Sequence, residues 1–236
     1  TYISGRFDSS FHEAHDIAQH IMIHCSVRLE APVTRESDFF HLERTYSVDT
    51  VVYILNRLFR MHNDVLDGGW QVIELTTPDT KSHKIDGIFK AIKTKRENKA
   101  LIIIECSKGP KTPEQKKYDD HVKLCRNSMR LLNKVLENVP KNYARIYLVQ
   151  CAGGYIDIKY LVRPLPSVYL LDRFLRIKIP KTFNDFEDFS KGIIDLMNWQ
   201  TDVLLTVKKI NKAFETKNDE IHITPIQDTP QKDKTK

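Results

Sequence analysis

Two acids are placed where a carboxylate is hard to explain without chemistry. Asp86 lies early in the run K-I-D-G-I-F-K-A-I that begins at Lys84, and Glu105 lies late in A-L-I-I-I-E-C-S-K-G-P, which begins at Ala100. Each is the single acid of its run. An ionised carboxylate in apolar surroundings is expensive to desolvate unless a cation or several hydrogen-bond donors meet it. Two such groups on neighbouring strands would make a seat for a cation. The plain alternatives are a turn-side Asp86 paired with a neighbouring lysine, and a Glu105 satisfied by backbone donors or by Lys108.

The charge around the pair points the same way. Residues 81–117 carry eleven Lys and Arg against four acids, whereas the whole chain is only +6, so the cationic excess is gathered there. That layout is expected of a site that meets a polyanion, with Lys84, Lys93, Lys95, Arg96, Lys116 and Lys117 as the cations on offer. A solvated lysine-rich turn would carry the same residues.

The elements that must position the acids follow from periodicity. Val, Ile and Leu runs without helical spacing, bounded by polar residues, predict a β-hairpin over 84–106 with a charged link, K-T-K-R-E-N-K. Residues 100–104 are apolar on both alternating faces, which predicts a central strand covered on both sides. A helix is expected over 47–65, with Ser47 as N-cap and Asp67-Gly68-Gly69 closing it, then a first strand at 70–75. Downstream, a long amphipathic helix is expected over 113–139, with Tyr118, Val122, Leu124, Cys125, Met129, Leu132, Val135 and Leu136 as its apolar stripe. Strands at 145–152 and 155–162, an edge element through 168–179 and a closing helix over 185–214 complete the domain.

At the N-terminus, a helix over about 10–27 carries His12, His15, His20 and His24. His20 and His24 share a face with metal-ligand spacing but have no matching ligands nearby, so ordinary histidines are the preferred reading. Residues 1–45 thus form a helical extension, 46–215 an α/β domain, and the polar stretch 216–236 a disordered tail. At 236 residues and 41% hydrophobic composition, the chain can build one large core. Cys25, Cys106, Cys125 and Cys151 show neither disulfide-framework nor zinc-ribbon spacing, which favours a reducing, intracellular setting in cytoplasm or nucleus. No run reaches the length of a membrane span.

Helix, three strands, helix, strand, with Asp in the second strand and Glu at the end of the third, resembles the core of the PD-(D/E)XK nuclease superfamily over residues 47–152. The E-C-S-K-G-P segment is also similar to E-x-S-G-P segments in a set of uncharacterised fungal proteins. The resemblance implies a restriction-endonuclease-like α-β-β-β-α-β core, a mixed central sheet flanked by helices, with helical additions at both ends. It implies a Mg²⁺- or Mn²⁺-dependent nuclease acting on DNA or RNA. Asp86 and Glu105 would hold the metal with the Cys106 carbonyl, with Glu43 or Glu74 as candidates for a further carboxylate. The family places a lysine two residues after the acid. Here that position is Ser107, and Lys108 follows it, on the opposite face by strand alternation. Lys108 then needs a bulge or a strand end to take the catalytic position, or else Lys116 or Lys117 of the next helix substitutes. Without such a lysine, the alternative is a catalytically inactive nuclease-fold module that binds nucleic acid or a protein partner.

Overall fold

Six strands form one sheet in which every spatial neighbour is also a neighbour in sequence. The computed structural model describes residues 8, 12–30, 45, 47–77, 80–92, 99–107 and 112–220. The strands are β1 (Leu66–Thr77), β2 (Thr80–Ala91), β3 (Lys99–Cys106), β4 (Ile146–Ala152), β5 (Tyr155–Leu165) and β6 (Val168–Lys178). Neighbours pair antiparallel except β3 and β4, which run parallel. Parallel neighbours need a crossover, and α3 (Glu114–Leu136) supplies it. The other helices are α1 (Glu13–Glu30), α2 (Tyr53–Phe59) and α4 (Phe186–Glu220). The chain is therefore an α/β protein, and its described residues form a mixed six-stranded sheet and four α-helices. None of its described helices is long and apolar enough to cross a membrane.

β3 is central because its residues are apolar on both sides. Leu101, Ile102, Ile103 and Ile104 are all at most 1% exposed, and burying each such side chain contributes about 1.5–3 kcal/mol. Strand alternation divides them between two layers. One face carries Ile103 and, registered beside it, Leu148; it lies under α3. The other carries Ile102, Tyr147 and Phe89, and meets the second layer through an aromatic chain. Phe59 of α2 packs 5.1 Å from Phe89 and 5.4 Å edge-on from Trp199 of α4, which in turn lies 6.1 Å from Tyr147. Gln200 then ties three helices together, donating to Glu13 Oε1 of α1 and to the Leu58 carbonyl of α2.

Several boundaries differ from the sequence expectation. The helix expected over 47–65 is a π-helical turn (Ser47–Val52), then α2, then a 3-10 turn (Arg60–His62), and Asp67-Gly68-Gly69 lies inside β1 rather than closing a helix. Gly68 is needed there for space: a Cβ on it would come 2.7 Å from Phe89 Cε1. The N-terminal helix runs to Glu30, and α4 runs on to Glu220, so residues 216–220 of the expected tail are helical and 221–236 lie outside the described residues. Tyr118 and Met129, expected on the apolar stripe of the long helix, are exposed. The histidines are engaged locally: His24 Nε2 donates to the Asp49 carbonyl while its ring stacks 3.7 Å from Tyr53, and His20 Nδ1 bonds the Asp16 carbonyl.

Candidate functional site

Asp86 and Glu105 come together because of register. Ile88 pairs with Ile103 and Gly87 with Ile104, so continuing the ladder places Asp86 opposite Glu105, both on the face beneath α3. The ladder itself stops there. In its place Asp86 Oδ2 accepts the Cys106 N–H at 2.8 Å. The Ser107 N–H points the other way, to the Cys151 carbonyl of β4 at 2.7 Å. Since both backbone groups of a strand residue face the same neighbour, the Cys106 carbonyl leaves on the Asp86 side.

Glu105 is only 5% exposed. Its Oε1 receives the Lys123 ammonium of α3 at 2.5 Å, while Oε2 is buried with no hydrogen-bond partner among the described residues. Burial chiefly, and then the charges of Asp86 and Asp120, hold its carboxyl above the usual range, at about 7, although Lys123 pulls the other way. One oxygen is thus paired and the other is an orphan acceptor in a dry place, which costs free energy until a cation or donor meets it.

The position at which the superfamily resemblance puts a lysine is filled differently. Ser107 is fully buried on the Glu105 face, and its hydroxyl donates to Asp120 of α3 in a short hydrogen bond. Asp120 also faces Lys116 at 3.4 Å. The reaching lysine comes from the helix above instead.

No protein-family model matches this chain, and no curated protein or solved structure matches it.

Of the residues singled out from sequence, Lys108, Lys93, Lys95, Arg96 and Glu43 lie outside the described residues, as does the side chain of Glu74. Lys84 shares the Asp86 face of β2 and is exposed. Lys117 pairs with Glu114 at 2.5 Å and Lys116 faces Asp120, so neither is the lysine on Glu105. Lys123, Asp120 and Gln150 were not anticipated. A signal for them exists, because Lys116, Asp120, Lys123 and Asn127 recur at helical spacing as a polar line on a helix that is otherwise apolar on that side.

A hard divalent ion suits this donor set. Two carboxylates, one with an orphan oxygen, and a main-chain carbonyl are the kind of partial cage in which Mg²⁺ keeps several waters. Among the described residues no group of three or more His, Cys, Asp or Glu side chains gathers, so the ion would depend on these two acids, the carbonyl and water.

Proposed function

We propose that the protein is a divalent-metal-dependent nuclease of the PD-(D/E)XK type, with Asp86 and Glu105 holding Mg²⁺ or Mn²⁺ and Lys123 standing in for the strand lysine. The observation that carries this reading is one constellation: two carboxylates on one sheet face, with an ammonium 2.5 Å from one of them. The order of elements from α2 to β4 is the order such a core requires, which supports the same assignment.

Within that reading each residue has a separate task. Bound between the acids, the ion would polarise the phosphoryl oxygens and the attacking water. Glu105 Oε2 and Asp86 would hold the ion, while Glu105 Oε1 keeps Lys123 fixed beside the pair. The Lys123 ammonium then orients a water or meets developing charge on the phosphate. Asp120, held by Ser107 and Lys116, stiffens the helix turn that carries Lys123. Lys84, Lys93, Lys95, Arg96 and the lysines opening α3 supply the attraction for a polyanion.

The test is cleavage of plasmid DNA and of RNA with Mg²⁺ or Mn²⁺, comparing wild type with Glu105→Ala. Loss of cutting in the variant supports the assignment; equal cutting by both proteins rejects it.

A second reading is favoured by one observation. Ser107 in the lysine position and a Glu105 already paired with Lys123 are also what a nuclease-like module without activity would show, binding nucleic acid or a protein partner. It predicts salt-sensitive binding that weakens when Lys93, Lys95 and Arg96 are neutralised, with no cleavage under any metal.

A further inference from the structure

We propose that the cleft beside the carboxylate pair is a nucleoside subsite that takes an unpaired base, so that the nucleic acid enters as a single strand. The inference rests on the reading of the site as one that meets nucleic acid.

Register leads from the acids to the cleft. Glu105 pairs with Gln150, Gln150 with Asp157 and Asp157 with Arg176, a polar row across four strands on one sheet face. At about 4.8 Å between strands, Arg176 stands roughly 14 Å from Glu105. The row lies at the carboxyl ends of the parallel pair β3 and β4, where open α/β sheets place ligands. There the opening turns of α3 and the β4–β5 turn enclose a cleft of about 310 Å³ lined by Lys117, Tyr118, His121, Gln150, Tyr155 and Arg176 among others. That volume suits one base with its sugar and has no room for a duplex.

The lining has the chemistry of a stacking site with a phosphate clamp. Tyr118 is 63% exposed at the cleft mouth, away from the face through which Leu124, Leu132 and Val135 of the same helix are buried. The Arg176 guanidinium lies 4.3 Å from the Tyr155 ring centroid and makes no ion pair among the described residues. Among the described residues Lys117 pairs only with Glu114, whose side chain is 88% exposed, and a surface pair of that kind yields readily to a phosphate. Asp157 is already neutralised by two bonds from Arg173. Gly153 makes the lysine's place possible: at φ 64° it turns the chain, and a Cβ there would sit 3.1 Å from Lys117 Nζ. His121, whose pKa burial and Lys159 lower, also lines the cleft, with its Nε2 3.5 Å from Cys125 Sγ. Aromatic faces flanked by Arg and Lys bind unpaired bases of any sequence, and a paired base cannot reach them.

The test is fluorescence anisotropy in EDTA, which prevents cutting, with labelled oligo-dT, oligo-U and a duplex of equal length. Wild type should bind both single strands at least five-fold tighter than duplex. Tyr118→Ala, at an exposed site that leaves the fold intact, should weaken single-strand binding at least about five-fold and duplex binding less than two-fold. Arg176→Gln should weaken single-strand binding and lower its salt slope by about one. Equal affinity for single strand and duplex, indifference to Tyr118→Ala, or no binding of either form would overturn the proposal. So would Tyr118-dependent binding of a polyglutamate peptide as tight as that of oligo-dT, which would mark an acidic protein ligand. Failure here is separable from failure of the nuclease reading. Metal-dependent cutting lost in Glu105→Ala, beside unaltered binding by Tyr118→Ala, removes only the subsite. Tyr118-dependent binding without cutting removes only the nuclease.

Discussion

The Lys123 ammonium of α3 reaches 2.5 Å from Glu105 Oε1 at the end of β3, while Glu105 Oε2 is left without a partner among the described residues. The ammonium thus comes to the acid from a helix and not from the strand that carries the acid. Removing the ammonium should separate stability from activity. Lys123→Met leaves a buried carboxylate unpaired, and because Lys123 is about a third exposed the cost should be ~1–3 kcal/mol by urea unfolding at pH 8. Cleavage should fall by about 10²-fold or more. Adding Glu105→Gln to Lys123→Met should restore the stability and leave the activity lost.

The pH dependence of stability has a definite sign. Folded Glu105 keeps its proton up to about 7, whereas an unfolded glutamate loses it near 4.5. Between those values the native state binds more protons than the unfolded one, so this group makes stability fall as pH rises from 4.5 to 7. Glu105→Gln should lack that fall. Urea midpoints at pH 5 and pH 8 should show wild type losing ~2 kcal/mol relative to the variant. Addition of Mg²⁺ at pH 8 should raise the wild-type melting temperature and leave that of Glu105→Gln unchanged.

How much of this was legible in the sequence depends on which geometry decides each feature. The two acids were legible because strand periodicity and an apolar β3 fix their face once the hairpin forms. The Lys123 contact was not, because which of Lys116, Lys117 and Lys123 meets Glu105 depends on how α3 is rotated over the sheet, and proximity to the helix start pointed to the first two. The polar line through Asp120, Lys123 and Asn127 carried that information. Gly68-Gly69 misled for a different reason: the pair has the composition of a helix stop, yet the Phe89 ring demands a bare backbone inside β1. Tyr118 fitted a helical stripe by spacing and stands outside it in space.

Close packing beside Asp86 gives a prediction that is independent of the chemistry. A Cβ on Gly87 would come 2.9 Å from the Trp70 ring and 3.0 Å from Ile104 Cδ1. Gly87→Ala should therefore destabilise by about 1–3 kcal/mol, the cost of overpacking. The displaced strand should also weaken the Asp86 bond to the Cys106 N–H, read as faster amide exchange at Cys106.

The Ser107 to Asp120 bond supports Lys123 from below. Ser107→Ala leaves a buried carboxylate oxygen short of a donor and should cost about 1–3 kcal/mol by urea unfolding. Cleavage should drop less than in Lys123→Met, since the ammonium itself remains.

The most direct measurement is anomalous diffraction from crystals grown with Mn²⁺. The account predicts a peak between Asp86 and Glu105, about 2.0–2.3 Å from an oxygen of each, with Lys123 still on Glu105 Oε1. Crystals in which both carboxylates are ordered and no peak appears between them would contradict it.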